Sequence, residues 1–263
     1  MPLKRLHITG CPRSGTTLLM EQMSACFEND GHCEHELSIF ATGGRSEGLY
    51  FSKQPNDIKH LGHIFHRDDA LYVIYVLRDP RSVITSKHGA ASNQYFCNYR
   101  VWRDCERAAA NYLGHPRFLR LRYEELVADP DRVQAIIQAH FPFLVQRHAF
   151  SEFEKFARPS NASEQALGGV RKVDRASLSK WQQHLPRLAH QLKLYPALGD
   201  DLIRLDYEVD RQWLQLLASV KAQEFPCRYP ERSQTLKQWE TSLRVYLKSR
   251  RYLRRLAQAK STL

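Results

Sequence analysis

The chain has 263 residues, 39 Lys+Arg against 28 Asp+Glu, a formal net charge of +11, and 43% hydrophobic, 11% aromatic and 25% charged residues. A chain of this length buries a full core without staples, which excludes an intrinsically disordered polypeptide and the small disulfide scaffolds. Mean hydropathy is −0.53, and no apolar run reaches the roughly 18 residues that a membrane-spanning helix needs.

The charge is unevenly placed. Residues 233–263 hold eight cations (Lys237, Arg244, Lys248, Arg250, Arg251, Arg254, Arg255, Lys260) against Glu240 alone, a net +7, which leaves +4 on residues 1–232. We therefore expect a mildly basic main domain, 1–232, and a separate basic extension, 233–263. Cysteines 11, 26, 33, 97, 105 and 227 form no CxxC pair and read as reduced thiols. The first residues run from two cations straight into a short apolar strand, too short for a signal peptide, so a cytoplasmic address is expected.

In chain order, Leu6-His-Ile-Thr9 reads as a strand ending at Gly10, and Leu18, Leu19, Met23 and Phe27 mark a helix after a Gly/Ser/Thr turn. Residues 29–48, rich in glycine and without period, read as a long loop over the sheet edge. Gly48 to Phe51 is a second strand and Pro55 to Phe65 a helix. Leu71 to Leu77, LYVIYVL, has the unbroken apolar character of a central parallel strand covered on both faces. A helix over 99–113, a fourth strand over Phe118 to Arg122 and a helix over Asp131 to His140 complete an alternating pattern that predicts an α/β fold, a parallel sheet flanked by helices. Residues 157–172 read as a mobile loop before a helix around Trp181. From 233 on, Leu236, Trp239, Leu243, Tyr246, Leu247, Leu253 and Leu256 recur at helical spacing among the cations, a basic amphipathic helix.

Gly10-Cys-Pro-Arg13-Ser14-Gly15-Thr16-Thr17 keeps the G-x4-G spacing of a P-loop, where backbone N–H groups and a helix N-terminus surround a phosphate. A Walker motif would place Lys at position 16, and Thr stands there. An inward Arg13 without that lysine suits a sulfate or phosphosulfate better than a magnesium-bound triphosphate. Arg78 ends the central strand, where ligands of parallel sheets bind, and with Ser86 it offers a fork and a hydroxyl for a second phosphate.

Pro12-Arg-Ser-Gly-Thr-Thr17 resembles the 5′-phosphosulfate loop of the sulfotransferases that use 3′-phosphoadenosine 5′-phosphosulfate (PAPS). Arg78 with Ser86 resembles that family's 3′-phosphate motif. Arg122-Tyr123-Glu-Glu-Leu126 is similar to its Tyr-Glu-Asp-Leu signature, and Ser179-Lys180-Trp181 to a late cofactor-contacting segment. The resemblance implies a P-loop-like three-layer fold, PAPS as donor with adenosine 3′,5′-bisphosphate (PAP) as product, no required metal, and Arg13, Ser14, Gly15, Thr16, Thr17, Arg78, Ser86, Tyr123 and Lys180 on the cofactor. It implies Lys53 and Arg13 as cations on the transferred group, since Lys53-Gln-Pro55 resembles a Lys-Thr-Pro or Lys-Thr-His segment. In members that sulfate protein tyrosine, a catalytic glutamate follows the loop arginine by 21 residues, which here selects Glu34, with Glu36 and His35 as substitutes. Those members carry a membrane anchor and a disulfide at this loop; this sequence has Phe51 where the second cysteine would stand, and is more like soluble prokaryotic-type relatives.

Other constellations carry less. His60, His63 and His66, with Asp68 and Asp69, sweep too far around a helix to hold one tetrahedral ion. Cys26, His32, Cys33 and His35 match no zinc spacing, no G-x-S-x-G elbow surrounds Ser14, and the Asn161-Ala-Ser163 sequon is idle without a secretory route. The expected activity is sulfuryl transfer to a hydroxyl or amine of a glycan, a tyrosyl peptide or a small metabolite, an acceptor that the basic surface suits if it is anionic. The rival readings are a small-molecule kinase using ATP and Mg²⁺, and a non-catalytic module binding polyanions or membrane. No nucleic-acid partner is expected. The tail either contacts an anionic surface or docks on the main body.

Overall fold

The computed structural model describes residues 2–88, 91–169, 175–232 and 235–261. Strand Lys4–Gly10 (β1) leads through the glycine turn into helix Thr16–Cys26 (α1), followed by strands Gly31–His32 (β2), Leu49–Lys53 (β3) and Leu71–Leu77 (β4). Helix Pro80–Ile84 (α2), strands Lys87–His88 (β5) and Ala91–Tyr95 (β6), helix Tyr99–Ala110 (α3) and strand Phe118–Arg122 (β7) come next. Helices Tyr123–Ala128 (α4), Pro130–His140 (α5), Phe153–Phe156 (α6), Asn161–Leu167 (α7), Leu185–Leu194 (α8), Ala197–Arg204 (α9) and Thr235–Ser261 (α10) complete the chain. The main sheet runs β2-β3-β1-β4-β7 with every pairing parallel; β5 and β6 form a separate antiparallel pair.

The two-residue period of β4 divides the interior. Leu71, Val73, Tyr75 and Leu77 enter one core, with α3, α8 and α9, while Ile74 and Val76 enter the other, with α1, α4 and α5. β1 is less symmetric. Leu6 and Ile8 pack beneath α1, but Arg5, His7 and Thr9 on its other face are polar and fully buried. Each finds a partner, as burial requires: Thr9 Oγ1 accepts from the Ile58 N–H at 2.9 Å, His7 Nδ1 lies 2.9 Å from Ser52 Oγ, and Arg5 pairs with Asp68 at 2.5 Å.

Several expectations are corrected. The 29–48 stretch contributes an edge strand, because Gly31 and His32 pair with Tyr50 and Phe51, so the sheet has five strands rather than four. The helix predicted over Pro55 to Phe65 is a 3₁₀ turn, Asp57–His63, entered from Asn56 in the left-handed region at φ 70°. The loop predicted over 157–172 contains α7: Ser160 caps it by accepting from the Ser163 N–H at 3.3 Å, and Gly168, at φ 72°, ends it. The glycines that suggested a loop include a helix C-cap; residues 170–172 lie outside the described residues.

Residues 233, 234, 262 and 263 of the basic extension likewise lie outside them. The rest of the extension is α10, whose inner face buries Val245, Ser249 and Tyr252 against the main body. The Tyr252 hydroxyl donates to Asp68 Oδ2 at 2.5 Å and lies 2.6 Å from Arg5 Nη2, so the last helix closes over the first strand. Among the described residues no helix is long and apolar enough to cross a membrane.

Candidate active site

The turn between β1 and α1 is built from backbone positions that only small or strained residues accept. Arg13 has φ 74° and Gly15 φ 98°. A Cβ on Gly15 would stand 2.3 Å from the Tyr123 ring, so the turn is pressed against the start of α4. No side chain caps α1 and no acid lies in its first turn, which leaves the N–H groups of that turn and the positive end of the helix dipole facing a cavity of about 680 Å³.

Arg13, Gly15, Thr16, Thr17, Arg78, Ser86, Tyr123 and Lys180, all expected from the sequence, line this cavity. The two predicted anion motifs meet directly. Arg13 Nε donates to Ser86 Oγ at 2.8 Å, and Arg78 Nη1 donates to the Arg13 carbonyl at 3.0 Å. Arg78 Nη2 donates to the Ser177 carbonyl at 3.3 Å, its guanidinium lies 4.0 Å from the Tyr123 ring, and the Tyr123 hydroxyl is 3.0 Å from Ser177 Oγ. Arg78 thus ties the loop, the α4 start and the Ser177 segment together. Burial first, and the neighbouring Arg78 charge second, lower the Arg13 pKa, a field that an anion would relieve.

His35 and Glu36 also line the cavity. Glu36 is the one acid among the described lining residues, and it pairs with Lys53 at 3.3 Å. Lys53, 1% exposed, lies behind the wall and also donates to Thr17 Oγ1 at 3.2 Å. Burial pulls its pKa down, and Glu36 partly restores it. His35 is also lowered, by burial and then by Lys53, and its Nδ1 lies 3.3 Å from Ser163 Oγ on α7.

Three expected residues do not line the cavity. Ser14 is buried under the turn, where a Cβ on Gly10 would stand 2.4 Å from its Oγ. Lys53 reaches the cavity lining only through its bonds to Thr17 and Glu36. Glu34, ranked first as the base, is exposed and its carbonyl accepts from Ser160 and Ser163. The reason is local pairing. The Cys33 N–H bonds to Phe51 and the Leu37 N–H to Lys53, so four residues on one side span two on β3; the stretch between loops out, and Glu36, next to the second pin, meets Lys53.

Phe96, Asn56, Ser177, Arg228 and Tyr229 also line the cavity and were not anticipated. The guanidinium of Arg228 lies 4.7 Å from the Phe96 ring and that of Arg13 5.8 Å from it. Asn56 Nδ2 donates to the Tyr229 hydroxyl at 3.0 Å, and burial pushes that phenol up to about 12. The one available signal was an arginine beside a tyrosine in a segment without periodicity.

The Sulfotransferase family model matches residues 32–141, from β2 through α5, and leaves the 10–17 loop outside the match. Among solved structures, the sulfotransferase domain of the Synechococcus PCC 7002 olefin synthase aligns with a TM-score of 0.51 at 18% identity, over 69% of this chain and 88% of that one. The sulfotransferase domain from the curacin biosynthetic pathway aligns at 0.49 and 16%, over 69% and 91%. Mouse sulfotransferase SULT7A1 complexed with PAP aligns at 0.47 and 14%, over 81% and 88%. No curated protein matches the chain in sequence. The family match over residues 32–141 and the P-loop-like α/β fold, a parallel sheet flanked by helices, make this chain similar to the sulfotransferases.

Proposed function

We propose that the protein moves the sulfuryl group of PAPS to a hydroxyl held beside Glu36. The observation that carries this reading is the Lys53–Glu36 pair: Lys53 lies behind the wall and bonds Glu36 and Thr17, which line the same cavity as the Ser86–Arg13–Arg78 chain. The residues fit the donor at both anionic ends. The first-turn N–H groups of α1 and Arg13 suit the 5′-phosphosulfate, and Arg78 with Ser86 suits the 3′-phosphate.

In the reaction, a bond forms from the acceptor oxygen to sulfur while the bond from sulfur to the bridging oxygen breaks. The acceptor proton passes to Glu36, and PAP leaves with the negative charge. Lys53, held by Thr17 beneath the helix N-terminus, and Arg13 supply the positive field where that charge grows. The apolar part of the cavity lining supports an apolar body carrying the hydroxyl: Leu18, Phe153, Ala166 and Leu167 line the cavity, as do His35 and Glu36. This favours a phenol or lipid-like alcohol over a glycan.

A thermal-shift panel with PAP, PAPS, ADP, and ATP with Mg²⁺ tests the class. PAP without metal is expected to stabilise the chain by about 2.7 kcal/mol at a hundredfold excess over Kd. Stabilisation by ATP with Mg²⁺ and none by PAP would replace this reading with the kinase. Transfer of labelled sulfate from PAPS to phenols, long-chain alcohols and glycans then ranks the acceptors.

A further inference from the structure

Helix α10 is apolar on two sides. Its inner face, Val245, Ser249 and Tyr252 with Leu253 and Leu256, docks on the main body. A second stripe, Trp239, Leu243, Tyr246 and Leu247, follows the i, i+4, i+7, i+8 spacing of one helix face and is exposed, Trp239 by 70%. At 100° per residue, this stripe is centred roughly a third of a turn or more away from the docked face. Beyond it, on the side away from the body, Arg244, Lys248, Arg251 and Arg255 form an exposed cationic row, and Arg250 and Arg254 continue the stripe toward the C-terminus.

We infer that this outer face of α10 lies on an anionic lipid bilayer. The chemistry is that of an in-plane interfacial helix: tryptophan, tyrosine and leucine at the centre, arginine and lysine at the flank, and low overall hydropathy. Charge selects the occupant. A second copy seated face to face would set a second helix of net charge +7 against the first, whereas an anionic headgroup layer complements it. A nucleic acid would engage the cations and leave the Trp–Leu stripe in water. The helix is held in place to present this face, because Tyr252 is locked to Asp68 and Arg5. It packs on the Asp57–His63 turn, whose preceding residues Gln54, Pro55 and Asn56 line the cavity, so a single turn separates the membrane-bound helix from the active site.

The protein carries its own probe. Of its four tryptophans, Trp102, Trp181 and Trp213 are buried, so Trp239 alone is placed to enter a new environment. Full-length protein is mixed with phosphatidylcholine vesicles, or with vesicles that also contain phosphatidylserine, and followed by sedimentation and tryptophan emission. Binding is expected with the anionic vesicles only, with a blue shift and with weakening as salt rises. Leu243→Ser with Leu247→Ser should lower affinity roughly tenfold or more, and Arg244→Glu with Arg251→Glu roughly fivefold for each charge removed, or more. PAP-induced stabilisation, retained in both variants, reports that they are folded. Equal binding to both vesicle types, or anionic binding unchanged in the leucine variant, overturns the proposal. So does a concentration-dependent dimer that the leucine variant abolishes, or tighter binding to RNA than to vesicles with no change in tryptophan emission.

Discussion

Lys53 and Glu36 stand 3.3 Å apart, although one is fully buried at the end of a strand and the other lies on a half-open loop. A buried ammonium that keeps one partner at a cavity wall is arranged to act on whatever that cavity holds. Glu36→Gln keeps the size and hydrogen bonding but accepts no proton, so steady-state turnover should fall roughly 10²–10⁴-fold with PAP affinity preserved. Glu34→Gln should stay near wild type. The reverse pattern would return the base to Glu34.

Lys53→Met separates stability from activity. Replacing the buried ammonium by an apolar side chain of similar length relieves its burial, and the half-exposed Glu36 left behind is solvated, so stability should change by only ~1 kcal/mol or less, while turnover falls with the lost positive field. The pH dependence has a definite sign. Burial lowers this pKa, so between the folded value and the usual lysine range the unfolded chain binds the extra proton. That contribution to stability is full above the unfolded pKa and is lost as pH falls through the lowered folded one. Urea titrations of both proteins across the alkaline range isolate this contribution: the slope of stability against pH should be more positive in the wild type than in Lys53→Met.

Arg78→Ala should weaken PAP binding by roughly 10- to 150-fold, the worth of a charge-assisted hydrogen bond. AMP, lacking the 3′-phosphate, should lose less. Calorimetry on both ligands decides the role: equal losses would mean that Arg78 acts by holding the Arg13 carbonyl rather than by gripping a phosphate.

Gly15→Ala forces an alanine to φ 98° and drives its methyl group into Tyr123. The backbone alone costs about 1–2 kcal/mol, and the displaced ring disturbs its contacts with Arg78 and Ser177. A lower Tm and a largely abolished PAP response are expected in the same thermal scan.

The Arg5–Asp68–Tyr252 cluster makes α10 part of the core. Asp68→Asn should cost about 3–5 kcal/mol by leaving Arg5 buried with its charge uncompensated, and Tyr252→Phe about 1–3 kcal/mol. Removing residues 233–263 is expected to destabilise the chain rather than merely strip off an appendage, and chemical denaturation measures each step.

What the sequence made legible follows from locality. The phosphate turn, the β4 run and the Arg78–Ser86 spacing are short patterns whose geometry is dictated within a few residues, and the turn and the Arg78–Ser86 motif line one cavity. The two-residue strand β2 has no period to detect and exists only because β3 offers an edge. Glu36 is distinguished from Glu34 by two backbone hydrogen bonds to β3, a nonlocal register that counting along the chain does not see. Arg228 and Tyr229 reach the cavity from a segment without regular structure, where Tyr95 holds them by the Arg228 N–H. The docked face of α10 was written in Val245, Ser249 and Tyr252, but the stronger cationic signal of the same helix obscured it.

The closure of the first strand by the last helix also sets an order of events during synthesis. Arg5 is made before either partner: Asp68 lies 63 residues on, and Tyr252 lies 247 residues on. While the ribosome is still adding the intervening helices, β1 can pair with β3 and β4, yet its buried guanidinium lacks the phenol that completes its shell. The nascent sheet therefore stays unfinished on that side until α10 has been made, a long-range dependence of the kind that slows folding and leaves apolar surface open to chaperones.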